Sequence, residues 1–153
     1  MKTRHGDLIE LALAGEFDVI VHGCNCFHTM GAGIAKSIKH AFPEAYAADL
    51  ETAKGDRDKL GSLSVAKISN TSHPLVVVNA YTQFNYRGAG PRVDYGAIKT
   101  CFEAIAERFA DLRIGYPMIG AGLAGGDWAR ISDSIEKALA ECDHTLVVFA
   151  PQP

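Results

Sequence analysis

Short apolar runs alternate along the chain with segments of helical periodicity, and this alternation limits the folds that the chain can adopt. The runs at 75–78 (LVVV) and 146–149 (LVVF) are apolar at every position. Continuous runs of this kind are typical of parallel strands that are buried on both faces of a sheet. We therefore predict a single α/β domain at 1–153, with helices on both faces of one central sheet in three layers, α/β/α.

Two further patterns refine this prediction. The segment 94–109 carries an apolar stripe at spacings of three and four residues, formed by Ile98, Phe102, Ile105 and Phe109. Such a stripe predicts a helix with one side against the sheet, and the segment 128–139 repeats it. The stretch 62–69 (SLSVAKIS) alternates between polar and apolar residues, which predicts an antiparallel strand. The sheet should then be mixed but mostly parallel.

Composition excludes some classes of protein. The 153 residues carry a net charge of -3 at pH 7, which argues against binding of duplex nucleic acid through bulk electrostatics. No stretch approaches the roughly 18 consecutive apolar residues of a membrane span. Acidic residues also interrupt the apolar stretch at the N-terminus, unlike in a signal peptide. We therefore expect a cytoplasmic protein with no membrane partner.

The cysteine pattern argues against a metal centre. Structural disulfides are rare in a reducing compartment, so Cys24, Cys26, Cys101 and Cys142 are predicted to be free thiols. Cys24 and Cys26 form C-x-C rather than the C-x-x-C of zinc ribbons, and no second pair completes a tetrahedral set. We predict buried thiols, no metal and no cofactor.

Two glycine-rich loops each follow a predicted strand and precede a predicted helix. They are MGAGIA at 30–35 and IGAGLAGG at 119–126. This placement puts both at the carboxyl edge of the sheet, where backbone N–H groups and helix N-termini can hold phosphate oxygens. Two such loops facing each other would suit a diphosphate. The alternative is that the glycines only permit tight turns.

Gly120, Gly122 and Gly125 also match G-x-G-x-x-G, the dinucleotide-binding fingerprint. That fingerprint opens a βαβ unit, with more strands following it. Here only one helix and one strand remain, and the last strand ends in FAPQP without an acidic residue to meet a ribose. The pattern therefore disfavours a nicotinamide oxidoreductase.

Four stretches together resemble the macro domain, an ADP-ribose-binding family. They are GDL at 6–8, VIVHGCNC at 19–26, MGAGIA at 30–35 and IGAGLAGGDW at 119–128. The likeness covers nearly the whole chain. The common form of the first strand motif in the family is V-N-A-A-N, and here it is VHGCN. The H-x-C-N-C form is similar to the branch that dephosphorylates ADP-ribose 1″-phosphate.

The resemblance implies a role for each matching residue. Asp7, next to Leu8, would accept a hydrogen bond from the adenine amino group, and Asn25 would face the distal ribose. Main-chain amides of the two loops would enclose the diphosphate, at Gly31, Ala32, Gly33, Ile34, Gly120, Ala121, Gly122, Leu123, Ala124 and Gly125. A small sugar diphosphate can be held in this way without a basic surface.

His22 is the predicted catalytic residue, because the resemblance places it beside the terminal ribose. Its ordinary pKa near neutrality suits activation of water or protonation of the leaving oxygen, and direct attack on phosphorus is an alternative. The other interpretation of His22 is a strand-end residue that satisfies nearby backbone groups. The predicted reaction is hydrolysis of ADP-ribose 1″-phosphate to ADP-ribose and phosphate. The alternatives are removal of ADP-ribose from protein or nucleic acid, and a non-catalytic ADP-ribose reader.

The sequence also departs from related branches of the family. The ADP-ribose protein glycohydrolases use a lysine on a central strand and an aspartate in the second loop, whereas the comparable places here hold 79–83 (NAYTQ) and Ala124. These residues argue against lysine-based chemistry. Asp127 is predicted to cap the last helix, and the alternative is a second acid near the phosphate. His28 is either solvated or in contact with the substrate. The segment 83–97 is either a loop that closes on the ligand through Arg87 or Arg92, or a solvated connection.

Overall fold

The computed structural model describes residues 1–87 and 90–150. Its strands are β1 (Lys2–Gly6), β2 (Val19–Cys24), β3 (Leu63–Lys67), β4 (Val76–Tyr81), β5 (Ile114–Tyr116) and β6 (His144–Phe149). Its helices are α1 (Leu8–Leu13), α2 (Gly33–Ala41), α3 (Pro43–Leu50), α4 (Tyr95–Arg108) and α5 (Trp128–Ala138), with a short 3₁₀ helix at Arg57–Lys59. None of the helices in the described ranges is long and apolar enough to cross a membrane.

The strands form one sheet in the order β1-β6-β5-β2-β4-β3. Every neighbouring pair is parallel except β3 with β4. The predicted mixed, mostly parallel sheet and its antiparallel strand at 62–69 are therefore confirmed. Because the five parallel strands point the same way, their carboxyl ends and the loops that follow them lie along one edge of the sheet.

Apolar residues pack on both faces of the sheet, as the continuous apolar runs predict. On one face, α4 and α5 cover a cluster that includes Val78, Ile98 and Ile135. On the other face, a second cluster with Ile20 and Ile38 lies under α1, α2 and α3. The three-layer α/β/α architecture is thereby confirmed, and it leaves the carboxyl edge of the sheet as the open side.

Candidate ligand-binding cleft

A cleft in two connected compartments runs along the carboxyl edge of the sheet. The edge compartment, about 640 Å³, lies at the ends of β1 and β6, and the central compartment, about 280 Å³, lies at the ends of β5, β2 and β4. The two compartments share four wall residues, Gly33, Ile34, Pro117 and Met118. They therefore form one elongated cleft.

Asp7 lies in the wall of the edge compartment, next to Leu8. It is the N-cap of α1, because its Oδ1 accepts hydrogen bonds from the N–H groups of Ile9 at 2.9 Å and Glu10 at 3.1 Å. Its Oδ2 has no hydrogen-bond partner within the described part of the chain. One carboxylate oxygen is thus fixed by the helix while the other can accept a hydrogen bond from a ligand.

Phe149 was not predicted from sequence as a site residue. It ends β6, lines the edge compartment and leaves 70% of its surface exposed. An apolar ring of this size is costly to leave in water, so the position suits an aromatic ligand ring stacked on it. The sequence signal for this residue is weak, since 146–149 reads simply as a buried strand.

The central compartment brings the two glycine-rich loops face to face, as predicted. A Cβ placed on Gly33 would lie 3.4 Å from the Leu123 side chain across the cleft. From the predicted binding set, the compartment wall contains Asn25, Ala32, Gly33, Ile34, Gly120, Gly122, Leu123 and Ala124. Gly31, Ala121 and Gly125 are outside the described wall. Thr82 and Gln83, which sequence reasoning did not assign to binding, are in it.

Unpaired backbone N–H groups belong to both of the glycine-rich loops that line this compartment. The N-cap of α2, Ala32, offers no side chain to the helix N-terminus, so the N–H groups of its first turn are left for a ligand. The N–H groups of Gly122, Leu123 and Ala124 likewise donate to no partner among the described residues. Both sets carry partial positive charge, so they could hold an anion through the main chain.

Residues 91–94 stabilise the second glycine loop through hydrogen bonds and close packing. Arg92 donates from its side chain to the Leu123 carbonyl and from its backbone N–H to the Ala124 carbonyl, the latter at 2.7 Å. A Cβ on Gly126 would lie 2.5 Å from Val93, so this glycine is required for close packing. The part of the predicted 83–97 loop that contains Arg92 thus supports the binding loop.

The structure does not bring His22 to the cleft. Its side chain is fully buried on the face of β2 that packs under α1, α2 and α3, and its Nε2 lies 2.6 Å from Asn79 Oδ1. Burial lowers the pKa of His22 from 6.5 to about 4, against the raising effects of the Asn79 hydrogen bond and the Asp49 charge. His22 is therefore neutral at pH 7. Neither compartment wall includes His22, so its catalytic role stays a prediction.

His22 belongs to a chain of buried hydrogen bonds across the sheet. Asn79 donates to Ser64 Oγ at 3.0 Å, and Ser64 Oγ lies 2.8 Å from the Tyr81 hydroxyl. Tyr81 in turn donates to Asp49 Oδ1 at 2.7 Å. These side chains are hydrogen-bonded to one another inside the protein, although Asp49 Oδ2 is buried without a partner among the described residues. The network agrees with the structural interpretation of His22 as a polar strand-end residue.

The remaining polar candidates have local partners. His28 Nε2 lies 3.1 Å from Thr52 Oγ1, and neither compartment wall includes His28. Asp127 accepts a hydrogen bond from the N–H of Ala129 at 3.0 Å, which confirms it as the N-cap of α5.

The cysteines are unpaired, and Cys24, Cys26 and Cys101 are buried. Burial raises the pKa of the Cys24 thiol well above its ordinary value, so this thiol is not a nucleophile at neutral pH. Among residues 1–87 and 90–150, no three His, Cys, Asp or Glu side chains gather as possible metal ligands.

Comparison with known proteins agrees with this geometry. The macro domain family matches residues 21–135. The chain belongs to this family. The macro domain is 37% identical, over 99% of its length and 97% of the other protein, to an uncharacterized 17.5 kDa protein in the tk-vs intergenic region of Enterobacteria phage T4. It is also 26% identical, over 88% of its length, to a DNA ADP-ribosyl glycohydrolase of Thermus aquaticus, of which it spans 36%.

Solved structures share the fold of this macro domain. The macrodomain of Thermus aquaticus DarG superposes with a TM-score of 0.77 at 24% identity, over 98% of this chain and 97% of that one. The macrodomain of Mycobacterium tuberculosis DarG gives 0.75 at 22% identity, over 99% and 97%. These relatives do not support the specific phosphatase branch that the H-x-C-N-C motif indicated.

Proposed function

We propose that this macro domain binds ADP-ribose along the cleft and hydrolytically releases ADP-ribose from ADP-ribosylated DNA. The observation that carries the binding proposal is the order of chemical groups along one continuous cleft. A carboxylate oxygen and an exposed phenyl ring lie at one end, and opposed unpaired N–H groups lie in the middle. ADP-ribose has the matching order of adenine, diphosphate and terminal ribose.

Each part of the ligand has a partner in this placement. Asp7 Oδ2 accepts a hydrogen bond from the adenine amino group, and the adenine ring stacks on Phe149. The diphosphate lies between the first turn of α2 and the N–H groups of Gly122, Leu123 and Ala124. The terminal ribose then reaches Asn25 and Gln83, beyond which the cleft opens.

The reaction proposed here is attack of water at C1″ of the terminal ribose. The bond from C1″ to the DNA base breaks, the water oxygen becomes the C1″ hydroxyl, and the proton of the water passes to the leaving base. The similarity to the Thermus aquaticus DNA ADP-ribosyl glycohydrolase supports this substrate. The described wall of the central compartment holds no ionisable side chain. The amides of Asn25 and Gln83 therefore act by orienting the ribose and water, and the enclosing N–H groups fix the diphosphate.

A second candidate reaction is hydrolysis of ADP-ribose 1″-phosphate. The small side chain of Ala124 lies in the wall of the central compartment, which leaves room for a phosphate on the terminal ribose. His22, the residue predicted to catalyse this reaction, is buried and outside the wall of the central compartment, so this reaction ranks second.

One set of assays tests the proposal. Purified protein would be incubated separately with an ADP-ribosylated single-stranded oligonucleotide, an ADP-ribosylated protein and ADP-ribose 1″-phosphate, and the products separated by chromatography. We expect free ADP-ribose from the oligonucleotide. Inorganic phosphate as the only product would favour the second candidate. Binding of ADP-ribose without turnover of any substrate would show a reader module.

Replacing Asp7 with asparagine should weaken ADP-ribose binding by about 10- to 100-fold, or roughly 1–3 kcal/mol, the scale of a hydrogen bond to a charged group. Asparagine keeps an oxygen that can cap α1, but its second polar atom is an amide nitrogen, which cannot accept from adenine. Calorimetry would measure the affinity, and urea unfolding would check that stability is retained. If the wild type bound GDP-ribose, which has guanine in place of adenine, as tightly as ADP-ribose, this role of Asp7 would be wrong.

A further inference from the structure

We propose that the surface formed by Arg57, Phe84 and Tyr86 holds a single-stranded nucleic acid segment next to the ADP-ribosylated nucleotide. This surface, called the strand platform below, lies outside the ADP-ribose cleft. The inference rests on the proposed function and extends it, because it says how the attached DNA is recognised.

The strand platform lies at the end of the cleft where the terminal ribose is placed. The edge compartment lies at β1 and β6, and the central compartment continues past β5 and β2 to β4. Gln83, just after β4, is in the central wall, and Phe84 follows it in sequence. The next strand across the sheet, β3, is antiparallel, so its first residues and the preceding 3₁₀ helix Arg57–Lys59 lie at the same edge. A group attached to the terminal ribose therefore leaves the cleft toward this surface.

The side chains of the strand platform suit bases and phosphates. The guanidinium of Arg57 lies 3.9 Å from the centre of the Phe84 ring. The rings of Phe27 and Phe84 are packed edge to face, with their centroids 5.0 Å apart. A guanidinium stacked on a ring keeps its N–H groups free in its own plane, where they can bind a phosphate. Tyr86 is 41% exposed, and the guanidinium of Arg87 lies 4.9 Å from its ring centre. A partly exposed ring on which a base can stack thus again lies next to a cation.

Charge along the route agrees with this assignment. The described residues lining the two compartments include no lysine or arginine, so Arg57 is among the first cations that a departing strand meets. Within the described ranges, Arg57 forms no ion pair. Asp56 and Asp58 flank it in sequence, so the region has no strong basic field. Binding must then rest on stacking and a few directed phosphate contacts, which suits a short single strand and not a duplex.

The experiment compares free and DNA-attached ADP-ribose. Affinities would be measured by calorimetry for ADP-ribose and by fluorescence anisotropy for a labelled eight-nucleotide single strand that carries one ADP-ribosylated base, at a temperature where turnover is negligible. We expect the oligonucleotide to bind about tenfold or more tightly than ADP-ribose, the scale of one stacked base. Its log affinity should fall with log salt with a slope of only about -0.7 to -1.4, since one or two phosphates are contacted.

Two substitutions test the contribution of the strand platform to binding separately from that of the cleft. Tyr86→Ala and Arg57→Gln should each remove most of the gain for the oligonucleotide while leaving the affinity for free ADP-ribose within about twofold of the wild type. Arg108→Gln is the matched control, because Arg108 also lies over an aromatic ring, Phe109, at the far end of α4, and it should change neither affinity.

Three results would overturn the inference: no gain for the oligonucleotide, a gain that survives both substitutions, or an equal gain for an ADP-ribosylated peptide, which would indicate a protein substrate. Failure of free ADP-ribose to bind would instead refute the proposed function itself, so the two failures are distinguishable.

Discussion

Replacing Gly122 with leucine should reduce ADP-ribose affinity by at least about 100-fold, equivalent to roughly 2.7 kcal/mol, while the protein stays folded. Gly122 lines the central compartment, and a Cβ placed on it would meet no heavy atom within 4 Å. Its backbone is outside the left-handed region, so a side chain introduces no backbone strain. A leucine there would therefore occupy space that the diphosphate needs and cover the N–H groups of the loop, without disturbing the core.

The matched control is Gly122→Ala, whose single methyl group should cause a smaller loss of affinity. Calorimetry gives both affinities, and circular dichroism with urea unfolding reports whether each variant keeps the wild-type fold and stability. Normal affinity in the folded leucine variant would place the diphosphate elsewhere. A leucine variant that fails to fold would contradict the open environment of Gly122.

Folding stability should decrease between pH 6.5 and pH 4 partly because of His22. In the unfolded chain this side chain takes up a proton near pH 6.5, whereas burial keeps it neutral in the folded protein down to about pH 4. The unfolded state then binds more protons in this window, so stability rises with pH and is lost on acidification. The difference between 6.5 and about 4 corresponds to at most roughly 3.4 kcal/mol.

The variant His22→Asn, which restores the residue common in the family, isolates this contribution. Urea unfolding of wild type and variant at pH 7.5 and pH 4.5 should show a smaller loss of stability in the variant, while other acid-sensitive groups such as His144 act equally in both. Equal losses would show that His22 is not buried as a neutral group.

We also expect the His22→Asn variant to keep turnover within about tenfold of wild type. A loss of 10²- to 10⁴-fold with unchanged ADP-ribose affinity would instead establish His22 as the general acid or base.

Local sequence patterns were sufficient to predict the fold and the framework of the cleft. Continuous apolar runs imply strands covered on both faces, and both glycine loops follow parallel strands, so their meeting at one edge is a consequence of strand direction. The N-cap role of Asp127 is equally local, because it depends only on the residues that begin α5.

The environment of His22 could not be predicted in the same way. Alternation along β2 places Ile20, His22 and Cys24 on one face, but only the packed structure shows that α1, α2 and α3 cover this face completely. Phe149 was missed for the opposite reason, since its exposure depends on where β6 ends relative to its neighbours. The contact of Arg92 with Leu123 joins positions 31 residues apart, and no local pattern encodes it.

The main-chain character of the proposed anion site has a consequence for how this protein can diverge. N–H groups are present at every residue except proline, so most side chains around the diphosphate can change while its hydrogen bonds persist. Selection would then conserve the backbone conformation and a few glycines, whereas the side chains around the terminal ribose could be substituted more freely. A lineage can thereby acquire a new leaving group as substrate without first having to rebuild its hold on the nucleotide.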